Sequence, residues 1–477
     1  MSLNNIFFVP FLAVVLAVYG FISYVLREYA DRAKVLYCLL VIASYGFICI
    51  TNIYFGVILL VTSLIAYFAA IGVEKSENKK SLICKLSVIV LVAILAVFKY
   101  YNFFLDSITW LIGNRANLNL ILPLGISFYI FSAISYIIDV YRKKYEANRS
   151  VIEVLLYMAF FPKLLAGPIV RADVFFKMLP NLNNVSWGNI AIGAQLFAVG
   201  LFKKMVLADH IGVFVNDIFY APVAYDGLTV LWGIISYSLQ IYFDFCGYSD
   251  MAIGAAKMFG FDFADNFNYP YLSKNVTEFW KRWHMSLSSW LQEYLYYPLG
   301  GNRKGSFRTY VNLFLTMLIG GLWHGAAWTF VVWGALHGLA LVIHKLFMQW
   351  KQNRLGDKKA TTPLWNKISM TMTYAFIAFC WIFFRASNFE NAANILKAVF
   401  TMQTGIVQPY TWSFFALALL LIFSATASKR AYNSNTYCDV PIQDLTTIKG
   451  QTIFLTFIGI TIILAYVGNT AFIYGNF

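Results

Sequence analysis

Charge is what this sequence is short of. Only 12% of the 477 residues are Asp, Glu, Lys or Arg, against roughly a quarter in an ordinary soluble domain, while 60% are apolar. A water-facing coat cannot be built from that composition, so a soluble globular fold is excluded and lipid is the expected solvent. Cysteine is sparse as well. The six present (Cys38, Cys49, Cys84, Cys246, Cys380 and Cys438) show no C-x-x-C spacing, which leaves no metal or disulfide framework and makes them small hydrophobes beside apolar runs. The sequence also lacks a G-x-x-x-x-G-K-[ST] phosphate loop, a G-x-S-x-G nucleophile elbow and an H-E-x-x-H zinc pair. No internal repeat, low-complexity tract or long linker divides it, so residues 1–477 are expected to form one domain.

What is present is a series of apolar runs. A hydrocarbon core roughly 30 Å thick needs about 20 apolar residues per helical crossing. Ile6 to Val25, Val35 to Ile50, Ile53 to Val73, Leu86 to Leu105 and Leu120 to Val140 meet that requirement. Ile190 to Leu207, Leu228 to Phe245, Tyr310 to Leu322, Trp328 to Phe347, Ile368 to Phe384, Trp412 to Phe423 and Ile453 to Val467 are shorter or broken by glycine but also read as embedded. About ten to twelve crossings are predicted. The first run has no positive n-region and no A-x-A-like cleavage site, so it reads as a retained span. The net charge of +14 does not point to nucleic acid, because the basic residues sit in short clusters between runs: Arg27, Arg32 and Lys34; Lys75, Lys79, Lys80 and Lys85; Arg142, Lys143, Lys144 and Arg149. Alternate loops are depleted, the turn near Thr51 holding none and the Asp106–Asn119 segment only Arg115. Under the positive-inside rule the charged loops are cytoplasmic and the N-terminus lies on the other, periplasmic, side.

Two stretches break the apolar pattern. From Tyr269 to Arg308, Phe279, Trp283, Leu287, Trp290, Leu291 and Tyr294 recur at helical steps among Lys274, Glu278, Lys281, Arg282 and Glu293. That amphipathic pattern predicts a helix along an interface or lining a polar cavity. His284 lies on it, either solvated at the interface or functional. His324 lies in Gly320-Gly321-Leu322-Trp323-His324-Gly325 inside an apolar region, where glycines weaken helix and non-helical backbone is tolerated only against protein or water. An interrupted helix presenting an imidazole to an internal cavity follows, with a hydrogen-bonded packing residue as the alternative. His337, 13 residues beyond, falls on another face of a continuous helix and reads as packing. His344 beside Lys345 is expected to snorkel, and His210 beside Asp209 to be interfacial. Asp244 and Asp250 stand at the end of a span, either orienting a base or held in a buried network. Intramembrane ionisable groups suit a proton-coupled transporter or flippase too.

The motifs together resemble the membrane-bound O-acyltransferases, and within them the bacterial branch that acetylates alginate or peptidoglycan. The likeness is carried by Ala166-Gly167-Pro168-Ile169-Val170-Arg171, Trp283-His284 with Ser286-Leu287-Ser288, Tyr296-Tyr297-Pro298-Leu299-Gly300-Gly301-Asn302-Arg303 and Trp323-His324-Gly325. The Phe472-Ile473-Tyr474 ending is similar, but Gly475 replaces the branch's usual Phe. The resemblance implies an all-α polytopic membrane fold, with re-entrant and interfacial helices around a central tunnel. It runs from about residue 90 onward, making 1–90 peripheral spans and 91–477 the core. In that family two polar positions some 40 residues apart, the second a His, converge on the tunnel. By resemblance His324 is catalytic and His284 its partner, while Asp244, Asp250, Asn266, Lys281, Arg282, Arg303 and Trp323 fall in matched segments with supporting or substrate-binding roles. The implied reaction moves an acyl group, acetyl above all, from a cytoplasmic thioester across the bacterial inner membrane, with His324 as general base or nucleophile. Acetyl-CoA is the implied donor and no permanently bound cofactor or metal is expected. A periplasmic SGNH-type esterase-like partner would complete transfer to a polysaccharide, peptidoglycan slightly preferred over alginate. D-Alanyl transfer to teichoic acid is the next option within the family.

Overall fold

In the computed structural model, residues 3–5, 7–112, 120–183, 186–355, 362–430, 442–468 and 473 are described. Ile6, Arg115, Asn119, Cys438, Phe472, Tyr474 and Gly475, singled out above, lie outside them. The described chain is helical, with a single isolated bridge between Tyr225 and Ile406. Seven helical segments are long and apolar enough to cross a bilayer: Phe8–Val25, Arg32–Cys49, Ile53–Lys75, Lys80–Ser107, Trp187–Tyr220, Trp328–Arg354 and Pro363–Arg385. Three shorter apolar helices, Ile126–Tyr141, Thr411–Leu421 and Ile448–Leu464, accompany them. Large apolar side chains face outward, such as Phe21, Ile42, Ile89 and Ile463, as lipid permits and water would not.

The helices differ from their sequence-derived bounds where tertiary contacts override local pattern. Leu120 to Leu124 precede the helix, which begins only at Ile126 after left-handed Gly125. The run expected to end at Leu207 continues through a π-helical turn, Phe202–Ala208, into Asp209–Tyr220. The run expected to end at Phe245 continues to Met258 as a 32-residue helix, Gly227–Met258. Asp244 and Asp250 are therefore inside a helix, not at a span end.

These two long elements cross backbone to backbone. A Cβ on Gly200 would lie 2.5 Å from the carbonyl oxygen of Gly247, and one on Gly193 2.5 Å from that of Gly254. The repeat of seven residues on both helices places each glycine pair on one facing stripe, the small-residue device by which embedded helices associate. Charge locks the same crossing. Lys204 Nζ lies 2.6 Å from both Asp209 and Asp244, and Lys203 Nζ 2.7 Å from Asp250. Burying Asp209 and Asp244, with Asp250 partly buried beside them, is tolerated because each carboxylate faces an ammonium. The N-terminal helices pack onto the rest: Tyr37 donates to the carbonyl of Leu179 at 2.9 Å, Tyr19 to that of Leu182, and Phe8 stacks on Phe197.

Candidate active site

His324 is the last residue of the Gly305–His324 helix, which stops because Gly325 turns to extended backbone (φ −161°, ψ 149°). The chain then re-enters helix at Trp328. The two arms touch at their backbones, a Cβ on Gly321 lying 2.4 Å from the carbonyl oxygen of Phe330 and one on Gly334 2.5 Å from that of Met317. Helix termini leave carbonyls that need donors. Here the carbonyl of Leu322 accepts from the Tyr100 hydroxyl at 2.7 Å, and that of Trp323 from Lys99 Nζ. A cation at a helix C-terminus also complements the macrodipole. His324 is thus held on a broken, externally capped helix end, 1% exposed, among Trp323, Trp333 and Phe384 at ring-centroid distances of 4.9, 5.0 and 5.4 Å.

The amphipathic stretch is not one helix. It forms Val276–Trp280 and Met285–Leu291, separated at His284, whose backbone is left-handed (φ 42°, ψ 56°). A non-glycine residue adopts that conformation at a cost of about 1 kcal/mol or more unless its surroundings hold it there. Asn266 holds it. Its backbone carbonyl accepts from Met285 N–H at 2.9 Å, and its Oδ1 accepts from Ser286 N–H at 3.1 Å and the Ser286 hydroxyl at 2.9 Å. The same Oδ1 lies 3.2 Å from His284 Nδ1. Because a backbone N–H can only donate, the Asn266 atom facing it is oxygen, so in the neutral ring Nδ1 carries the proton and Nε2 the lone pair. Asn266 Nδ2 in turn donates to Ser249 Oγ at 3.3 Å. The solvated alternative for His284 is overturned: it is 0% exposed and edge-on to Phe245 at 4.7 Å.

His284, Lys99 and His337 all lie within electrostatic reach of His324. His337 belongs to this cluster because the chain reverses at 325–327, so the continuous-helix geometry used for it does not apply, although it is buried as a packing residue would be. It accepts from Trp280 Nε1 at 3.2 Å and lies 4.8 Å from the Trp333 ring. His344 bonds to Thr277 Oγ1 at 2.8 Å instead of snorkelling, and His210 stacks on Trp412 at 4.0 Å.

Of the residues nominated from sequence, His324, His284, Asn266 and Trp323 come together. Asp244 and Asp250 do not join them as acids facing the imidazoles. Asp244 accepts from Lys204 and, at 2.9 Å, from Ile473 N–H, and Asp250 pairs with Lys203, which places both in the helix-crossing network. Arg282 bonds to Glu278 at 2.8 Å and to the Asn268 carbonyl at 3.3 Å, bracing the turn before His284. Lys281 is exposed and lines a cleft of about 490 Å³, while Arg303 is exposed on the turn beyond. The cleft also takes in Met285, next to His284, and Met317, two turns before His324, together with Ser288, Gln292 and Tyr297. Sequence reasoning passed over Lys99, Tyr100 and Trp333. For Lys99 the signal was there: a single ammonium deep in the Leu86–Leu105 run is costly unless it has a task.

The Asn266 clamp carries a prediction. Asn266→Ala leaves the His284 turn without its side-chain acceptor and its tautomer unset, and turnover is expected to fall about 10–100-fold, as when a supporting hydrogen bond to a functional imidazole is lost. Asn266→Asp, which keeps an acceptor, should recover most of the loss. Steady-state rates of the two variants check this, and equal activity of Asn266→Ala and the unaltered protein would remove Asn266 from the site.

Comparison with known proteins identifies the family. The family model described as MBOAT, membrane-bound O-acyltransferase family, matches residues 147–384, a span that includes both His284 and His324. The chain is 39% identical over 411 residues to a protein named probable alginate O-acetylase from Pseudomonas putida, covering 83% of this chain and 80% of the relative. It is 36% identical to a peptidoglycan O-acetyltransferase of Helicobacter pylori, over 80% of this chain and 77% of that one. A teichoic acid D-alanyltransferase of Bacillus subtilis is 27% identical over 57% and 71%. A polytopic helical protein that places two buried histidines 40 residues apart on broken helix ends, and that keeps such relatives over most of its length, belongs to the membrane-bound O-acyltransferase family and is an acyltransferase.

Proposed function

We propose that the protein passes an acetyl group from a cytoplasmic thioester, acetyl-CoA, to a hydroxyl acceptor on the far side of the inner membrane, as the membrane step in O-acetylating a cell-envelope polysaccharide. The observation that carries this reading is the burial of His324 and His284, within electrostatic reach of each other, in an apolar, water-poor interior. A CoA carrier is too large and charged to cross lipid, so only the acyl group can advance. In the proposed step the acceptor oxygen attacks the thioester carbonyl while His324 takes the hydroxyl proton. The C–S bond then breaks, and the thiolate leaves with that proton. His284, its Nε2 lone pair set by Asn266, steadies the charge on His324. The cleft bordered by Lys281, Ser288, Gln292 and Tyr297 suits the donor's approach, since the neighbouring basic residues mark the cytoplasmic face. The polysaccharide transfer would fall to a periplasmic SGNH-type partner.

Alginate and peptidoglycan hydroxyls both fit as final acceptors. No residue stands behind the preference for peptidoglycan, and relatives named for either polymer match over similar lengths. Family membership favours acyl transfer over a relay that only moves protons. The test uses purified protein in liposomes with radiolabelled acetyl-CoA supplied on the Lys281 side, together with the SGNH protein encoded by the same organism. Thioester consumption and label on a hydroxyl acceptor are expected. Proton-coupled flux without thioester consumption would replace the reading with a transporter.

A further inference from the structure

Three N–H groups in the ring set that includes His324 have no acceptor among the described residues: Trp323 Nε1, Trp333 Nε1 and His337 Nε2. All three side chains are buried, at 6%, 1% and 0% exposure. For His337 the donor assignment follows from its other nitrogen. Trp280 Nε1 can only donate, so His337 Nδ1 accepts and the proton of the neutral ring is on Nε2. The rings form a contiguous set, Trp323 to His324 at 4.9 Å, His324 to Trp333 at 5.0 Å and Trp333 to His337 at 4.8 Å. A buried donor without an acceptor costs about 1–3 kcal/mol, and native proteins leave few such groups without a reason. Donors without acceptors in a buried ring set that includes His324 are of the kind that meets an oxygen bearing developing negative charge.

We propose that the Trp333 indole N–H, flanked by those of Trp323 and His337, binds the carbonyl oxygen of the acyl group at His324 and stabilises the oxyanion formed when that carbonyl is attacked. This rests on the acyl-transfer reading above and adds the electrophile-binding half of the site, which neither catalytic histidine supplies. The electrons balance within the same step: the carbonyl π pair moves onto oxygen as the new C–O bond forms, and returns as the C–S bond breaks. The neutral indole N–H donors suit the task, because they hold the oxygen without titrating and are worth most where water is excluded. Trp333 is placed for it by the Gly321–Gly334 contact, which brings its helix against the arm that ends in His324.

The test is an atom-level replacement. Substituting Trp333 with benzothienylalanine, which keeps the bicyclic shape but has sulfur in place of N–H, should lower kcat for acetyl transfer about 100-fold, the loss expected for one oxyanion donor, with KM for acetyl-CoA changed less than threefold. Trp333→Phe should lose at least as much. If the unaltered protein turns over acetyl-CoA and the sulfur isostere stays within threefold of it in kcat, the donor role is overturned while acyl transfer stands. If the unaltered protein shows no turnover either, the acyl-transfer reading fails and takes this one with it.

Discussion

His324→Ala is expected to reduce acetyl-CoA turnover by about 10²–10⁴-fold, the range that a positioned acid–base group contributes, with little change in membrane insertion. The size of the effect follows from the surroundings. The ring is enclosed by Trp323, Trp333 and Phe384, and its helix end is fixed from outside by Tyr100 and Lys99. Insertion should survive because it is governed by the apolar runs and flanking basic loops, which the substitution leaves alone. The assay is thioester consumption by purified variant and unaltered protein, with elution volume and thermal midpoint as controls for folding. His324→Ala retaining more than a tenth of the activity would exclude the imidazole as base or nucleophile.

Lys204→Met should be the most destabilising single change outside the active site. The Lys204 ammonium is 2.6 Å from Asp209 and from Asp244, both buried. Removing it leaves two carboxylates facing each other without a counter-charge, and breaking a buried pair from one side costs about 3–5 kcal/mol. The loss falls on the crossing of the Trp187–Tyr220 and Gly227–Met258 segments, and through Phe245 and Ser249 it reaches the Asn266–His284 turn. A clear drop in thermal midpoint in detergent is expected, with much of it recovered in Lys204→Met/Asp209→Asn/Asp244→Asn, where no uncompensated charge remains. A single variant that melts with the unaltered protein would show that the network adds no stability.

Tyr294 illustrates why the amphipathic stretch was only half legible. Its place in the three- and four-residue pattern is real, and it is buried with its hydroxyl on Asp139 at 2.5 Å, yet the pattern carries no mark of the break at His284. Periodicity reports which side chains share a face. It does not report that Asn266, 18 residues earlier, supplies acceptors that stabilise a left-handed turn. Likewise the Gly320–Gly325 segment announced an interruption, but its position after His324 depends on a packing partner, the Trp328–Leu355 helix, that approaches only once the chain has reversed.

The sequence by itself determined the solvent and the helical class, because hydrocarbon imposes a length and an apolarity that local composition must satisfy, and it set His284 and His324 apart because polar groups there stand out against that background. Tertiary structure alone decided which polar groups serve which end. Asp244 and Asp250 went to a lysine-locked helix crossing, Asn266 to the His284 turn, and Lys99, Trp333 and His337 to the surroundings of His324. Those assignments rest on contacts between residues tens to hundreds of positions apart, and hydrogen bonds and ion pairs of a few ångströms leave no period in the chain that makes them.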